Sequence, residues 1–111
     1  MFEPLPREVI FYVKANGRVP FQDWLESLRD KLGRSAIETR IRRLERGNLG
    51  DYSPIGQGIY ELRVHFGPGY RVYFGEDGRT VVVLLCAGDK SSQEKDIERA
   101  YQYWIDYRRI R

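Results

Sequence analysis

One cysteine and one histidine are all that 111 residues contain of the two strongest metal-ligating side chains. Cys86 therefore has no partner for an internal disulfide, and zinc sites of the cysteine-cluster kind are excluded. The carboxylates are scattered without the spacing of a calcium loop. There is no G-x-x-x-x-G-K-[ST] and no G-x-G-x-x-G, so no nucleotide cofactor has a motif to hold it. Neither a metal nor a cofactor is expected. No run approaches the ~20 apolar residues of a membrane span. The amino-terminal MFEPLPRE carries acids and prolines instead of an apolar signal region. Repeats and low-complexity segments are missing too. The expectation is a soluble protein of a reducing cytoplasm, with residues 1–111 forming one domain around one core and no membrane partner.

What is present is charge, arginine and tyrosine. Nineteen Lys and Arg against sixteen Asp and Glu leave +3, and aromatic residues reach 14%. The net charge is modest, so the clustering of the arginines carries more information.

The most strongly patterned stretch is Gly58 to Gly75, GIYELRVHFGPGYRVYFG. Tyr60, Leu62, Val64 and Phe66 alternate with Glu61, Arg63 and His65, the period of a strand with one apolar and one charged face. After Gly67-Pro68-Gly69 the alternation resumes, with Tyr70, Val72 and Phe74 opposite Arg71 and Tyr73. Two strands joined by a tight turn would gather Arg63, His65, Arg71 and Tyr73 on one patch.

Ahead of this hairpin, residues 7–14 are β-branched and aromatic between Pro6 and Asn16-Gly17, which predicts a first strand in a well-covered position. Pro20 opens a helix with Phe21, Trp24, Leu25, Leu28 and Leu32 on one stripe, stopped by Gly33. Ser35 and Glu38 have the spacing of a capping box for a second helix, with Ile37, Ile41 and Leu44 inward and Gly47 at its end. Arg34, Arg40, Arg42, Arg43 and Arg46 ring the polar side of that helix. They form either a solvated face or a track for phosphates, whose oxygens an arginine fork binds bidentately. Residues 48–57 read as a loop. After the hairpin, Thr80 to Cys86 form a strand apolar on both faces, which must be internal or covered on both sides. Ser91 and Glu94 suggest a capping box for a last helix, with Ile97, Ala100, Tyr101, Trp104 and Ile105 packing on the sheet. The basic end Tyr107 to Arg111 is expected to fray. The order β-α-α-β-β-β-α predicts an α+β fold in two layers, a small, mainly antiparallel sheet with its helices on one face.

On this frame a basic patch without metal suits an RNA phosphate. Arginines neutralise the charge developing in the transition state while a base takes the proton from the 2′-hydroxyl. Tyr73, or Tyr60 at an edge, could stack on a base. Lys90 precedes the last helix, whose amino-terminal dipole attracts anions. The bland alternative makes Arg63 and Arg71 strand arginines paired with acids such as Glu61. His65, Asp89 and Ser91 or Ser92 could be drawn as a catalytic triad, but no nucleophile-elbow sequence accompanies them.

ELRVHFGPGYRVYF and GDKSSQ, within a pattern that extends from REVIFYV through VPFQDWL to the last helix, resemble the RelE/ParE superfamily of type II toxin-antitoxin toxins, in particular the HigB-like addiction-module killer proteins. The resemblance implies a compact RelE-like α+β fold and an mRNA interferase that cuts messenger on the ribosome without metal, by attack of the 2′-hydroxyl on the adjacent phosphate. It carries catalytic roles to Arg63, Arg71 and Lys90, with His65 beside them. Arg40, Arg43, Tyr73, Ser91 and Gln93 become candidate RNA contacts. It also implies a small helix-turn-helix antitoxin. Several such toxins use a tyrosine or histidine at the start of the last helix, whereas here that region reads Asp89-Lys90-Ser91-Ser92-Gln93. The proton acceptor is thus open among His65, Glu61 and Asp89. The target is open as well, because ParE-type relatives poison DNA gyrase with the same fold, and a third possibility is a non-catalytic RNA- or partner-binding module.

Overall fold

Strict alternation on both sides of the Gly67-Pro68-Gly69 turn builds the centre of a five-stranded sheet. The computed structural model describes residues 5–109. Met1 to Pro4 of the amino-terminal stretch and Ile110 and Arg111 of the basic end lie outside the described residues. The elements are β1 (Glu8–Phe11), α1 (Pro20–Ser27), α2 (Lys31–Glu45), β2 (Tyr52–Gly56), β3 (Ile59–Val64), β4 (Tyr70–Asp77), β5 (Val81–Asp89), a 3₁₀ turn (Lys90–Ser92) and α3 (Gln93–Arg109). The sheet order is β1-β5-β4-β3-β2. β1 runs parallel to β5, and every other neighbouring pair is antiparallel.

The α+β class and the mainly antiparallel sheet are as the residue pattern predicts, consistent with a RelE-like fold. The helices, however, do not share one face. Because strand side chains alternate, Leu62, Val64, Val72, Phe74, Val82 and Leu84 face α1 and α2, where Phe21, Leu25, Ile37 and Leu44 complete one core. Ile59, Tyr73, Val83, Leu85 and Cys86 point the other way and meet Ala100, Trp104 and Tyr107 of α3. The expected two layers are therefore three, with helices on both sides. The fully apolar β5 required this. Val82, Val83, Leu84 and Leu85 have no exposed surface, and each such side chain removed from water contributes about 1.5–3 kcal/mol. Among the described residues no helix is long and apolar enough to cross a membrane.

Several local expectations shift. The first strand is shorter than residues 7–14 and lies at the sheet edge, with Phe11 exposed. Part of the predicted loop 48–57 is β2, an edge strand that accommodates Pro54 because an edge residue can do without a ladder donor. The first helix ends at Ser27, and Leu32 projects into solvent instead of extending its stripe. Asp30 caps α2 by accepting from Gly33 N at 2.9 Å, so Ser35 and Glu38 lie inside the helix and form no capping box. Asp89, in place of Ser91, caps the start of the last helical segment. The Cys86 thiol is buried, and that burial raises its pKa to about 12. It is inert toward oxidation and exchange, a core thiol as read.

One packing contact fixes how α3 lies on the sheet. Gly75 of β4 faces the Trp104 ring so closely that a Cβ would come within 2.4 Å of it. We expect Gly75→Ala to destabilise the fold by about 1–3 kcal/mol through overpacking. Ile105→Ala, on the exposed side of α3, should stay within about 0.5 kcal/mol. Urea denaturation of both variants checks the pair.

Candidate functional site

The hairpin face opposite α1 and α2 is covered by α3 over only part of its length. In the ladder Arg63 stands across from Arg71, and Glu61 across from Tyr73. These four side chains share one face and converge on the Glu61 carboxylate, whose side chain is 5% exposed. Its Oε1 accepts from Arg63 NH1 at 3.1 Å. Its Oε2 accepts from Tyr73 OH at 3.2 Å and from Gln93 Nε2 at 3.1 Å, with Arg71 NH1 at 3.5 Å. A carboxylate buried to this degree persists as an ion only with such partners. It fixes two guanidinium groups side by side and anchors the first residue of α3 to the sheet.

The network continues outward from Arg63. Its NH1 also donates to Ser53 Oγ at 3.0 Å. Its Nε and NH2 donate to Asp51, at 3.2 Å and 2.8 Å to Oδ1. Asp51 Oδ2 in turn lies 2.5 Å from His65 Nε2. Hydrogen bonds from Arg63, then from His65, hold the Asp51 carboxyl well below the usual carboxylate range. The same contact with Asp51 raises the Arg63 pKa. His65 is not a ladder residue: β3 stops at Val64, and the imidazole stands 74% exposed on the turn.

Lys90 is exposed in the 3₁₀ turn beside the hairpin tip. Its stem lies over Gly69, where a Cβ would come within 3.1 Å of Lys90 Cε. Glycine is favoured there by a φ of +84°, while the exposed lysine stem could shift to admit a Cβ. Asp89 Oδ1 accepts from Ser91 N at 2.8 Å and from Ser91 Oγ at 2.5 Å. These bonds, the side-chain one foremost, lower the Asp89 pKa.

Arg63, Arg71 and Gln93 thus meet at Glu61, with His65 joined through Asp51 and Lys90 at the hairpin tip. Other expectations need correction. Tyr73 is fully buried, its hydroxyl on Glu61, so it offers no ring face to a base; burial first, then Glu61, raises its pKa. Tyr60 stacks on Phe74 at 5.4 Å between centroids and contacts Tyr52, so it too is occupied. Arg40 does not track phosphates. Its guanidinium donates to the carbonyls of Leu49, Asp51 and Arg63 at 3.2, 3.3 and 3.2 Å, stapling α2 to the strand ends. Burial lowers its pKa. Arg43 instead lines an open groove of about 590 Å³ between α2 and the end of β3. The Ser91 hydroxyl is spent on Asp89, so it holds the helix start. Glu61 and Asp89 already accept from several donors, whereas the exposed His65 imidazole has one nitrogen on Asp51. The triad drawn from His65, Asp89 and Ser91 divides between two separate contacts.

Asp51 was missed. It lay in a segment read as loop, and only a knowledge that this segment returns antiparallel to β3 brings it to Arg63. Among the described residues no group of three or more His, Cys, Asp or Glu side chains could hold a metal ion.

The family model described as Phage derived protein Gp49-like (DUF891) matches residues 23–104. An uncharacterized protein of Haemophilus influenzae (strain Rd) is 46% identical over 80 residues, a span of 72% of this chain and 81% of that protein.

Two outcomes are expected from the network. Glu61→Ala leaves Arg63 and Arg71 facing each other without their shared carboxylate, and should cost about 3–5 kcal/mol in urea denaturation. The depressed carboxyls give a pH dependence of known sign. A group whose folded pKa lies below its unfolded value of about 3.9 adds stability above that value, and the stability is lost as pH falls through the folded pKa. Thermal melting followed from pH 6 downward should show this loss below about pH 4, and Asp51→Asn should reduce its steepness.

Proposed function

Since the chain belongs to the Gp49-like family of phage-derived proteins, a RelE-type addiction-module killer family, we propose that it is the toxin of a type II toxin-antitoxin pair and acts in the cytoplasm as a metal-free mRNA interferase. The observation that carries this reading is the pairing of Arg63 and Arg71 across the β3–β4 ladder, both directed at Glu61, with Gln93 on the same carboxylate. Two adjacent guanidinium groups on a rigid sheet are preorganised to meet the charge that develops on a phosphate. Lys90 adds a cation at the hairpin tip.

In the proposed reaction the ribose 2′-oxygen attacks the adjacent phosphorus, the P–O5′ bond breaks, and a 2′,3′-cyclic phosphate and a 5′-hydroxyl result. His65 accepts the 2′-hydroxyl proton. With Nε2 held against Asp51, Nδ1 is the nitrogen that faces the substrate. Arg63 and Arg71 stabilise the phosphorane oxygens, and the proton returns to the leaving 5′-oxygen from solvent or from the imidazolium. The ribosome supplies the messenger, and a small helix-turn-helix antitoxin in the manner of HigA is the partner that silences the toxin. Membership of the HigB-like subgroup is part of the same proposal.

The charge balance of the patch supports a second reading. Arg63, Arg71 and Lys90 stand beside Glu61, Asp51 and Asp89, so the surface carries little net charge of its own. A partner-binding role without cleavage, at gyrase or at another protein, would suit such a balanced surface.

Mapping of messenger 5′ ends after induction separates the two. Wild type should produce new ends within coding regions, and Arg71→Ala should lower their yield by about a hundredfold or more, the effect of losing one preorganised donor. Growth arrest with intact transcripts, or equal cutting by Arg71→Ala, would leave the second reading standing.

A further inference from the structure

We infer that the groove between α2 and the end of β3 is a subsite for one nucleotide of single-stranded RNA, whose phosphate replaces the Asp51 carboxylate on the Nε/NH2 edge of Arg63. The base then lies on the exposed ring of Phe66. This rests on the RNA reading above and names a site it does not include.

Arg63 lines both this groove and the Glu61 face. Every donor group of its guanidinium is engaged. NH1 is directed at Glu61 and Ser53, while NH2 donates to Asp51 Oδ1 and Nε to its Oδ2, so that the pair grips Asp51 as a fork. That fork is the geometry in which arginine binds a phosphate. The two carboxylates differ in their freedom to leave. Glu61 is 5% exposed and tied to three further groups, whereas Asp51 is 43% exposed and precedes β2 on a loop. A phosphate reaching Arg63 from the groove therefore displaces Asp51, which can turn away and keep its contact with His65.

The rest of the groove matches a nucleotide. Arg43 and Arg63 line it against the single carboxylate of Asp51, and Arg40, whose donors are spent on carbonyls, still contributes its charge, a balance that favours a polyanion once that carboxylate is displaced. Phe66, 37% exposed, offers the stacking face that buried Tyr73 and packed Tyr60 do not. The hydroxyls of Ser35 and Thr39 also line the wall and can donate to ribose or base. The opening of about 590 Å³ is large enough for one nucleotide.

Binding of a short, fluorescently labelled single-stranded RNA with 2′-O-methyl sugars, which cannot be cut, tests the site with the full chain. Asp51→Asn should tighten binding about fivefold, the effect of removing one like charge about 4 Å from a phosphate in water. Phe66→Ala should weaken it about tenfold, as expected for one lost stacking contact. Arg43→Ala should lower the slope of log affinity against log salt by about 0.7. Phe66 and Arg43 are exposed, so these variants remain informative even if Asp51→Asn is less stable. Unchanged or weaker binding by Asp51→Asn together with wild-type binding by Phe66→Ala would overturn the proposal. Equal competition by polyglutamate would also overturn it and identify the groove as a site for an acidic polypeptide. If these binding changes appear while ordinary RNA is left uncut, the subsite stands and the cleavage reading falls. If cutting persists with both variants at wild-type affinity, the reverse holds.

Discussion

A buried carboxylate with four nitrogen or oxygen donors around it organises this molecule. Glu61 sits on β3 where only an ion pair can compensate for lost hydration, and its partners come from β3, β4 and the first residue of α3. The cost of burying one charge is offset by a geometry in which Arg63, Arg71, Tyr73 and Gln93 each have a fixed place. The same interaction that stabilises the junction of sheet and last helix therefore sets the spacing of the two guanidinium groups on which the proposed chemistry depends. Stability and site are not separable here, unlike a surface patch of solvated arginines.

A gradient of exposure runs through the network, from Glu61 through Arg63 to Asp51 and His65. The inner end is buried and the outer end is accessible. On the proposed reading this arrangement gives a phosphate a preformed inner wall and a carboxylate that can yield at the entrance. On the same reading, arginines held by acids can still serve an anionic ligand, because the outer acid is held by two residues against the inner one's four, and it competes with the ligand for a single edge of Arg63. The groove under α2, with Phe66 at its lip, begins at that edge.

Much of this was legible from residue order, and the failures have physical causes. The period-two pattern from Tyr60 to Phe74 located the central hairpin and put Glu61, Arg63, Arg71 and Tyr73 on one face, because strand alternation is a local property. The continuous apolar run of β5 announced burial on both sides. What alternation cannot reveal is which part of a face another element covers, and so Tyr73 was read as an exposed stacking residue although α3 buries it. Arg40 and Arg43 look equivalent on a helix, but only Arg40 is within reach of three carbonyl groups at strand ends. β2 was hidden by Pro54 and Gly56, residues that weaken a strand pattern and are tolerated at an edge. Asp51 became visible only through the β2–β3 register, which is a long-range fact.

The chemistry of the ends left on cut RNA decides whether Arg63 and Arg71 act on a phosphate. If Arg63 and Arg71 hold a phosphate for attack by its own 2′-oxygen, messenger recovered after induction of the protein carries 2′,3′-cyclic phosphate and 5′-hydroxyl termini at each new cut. Ends bearing a 3′-hydroxyl and a 5′-phosphate, or transcripts left whole while DNA supercoiling is lost, would contradict it.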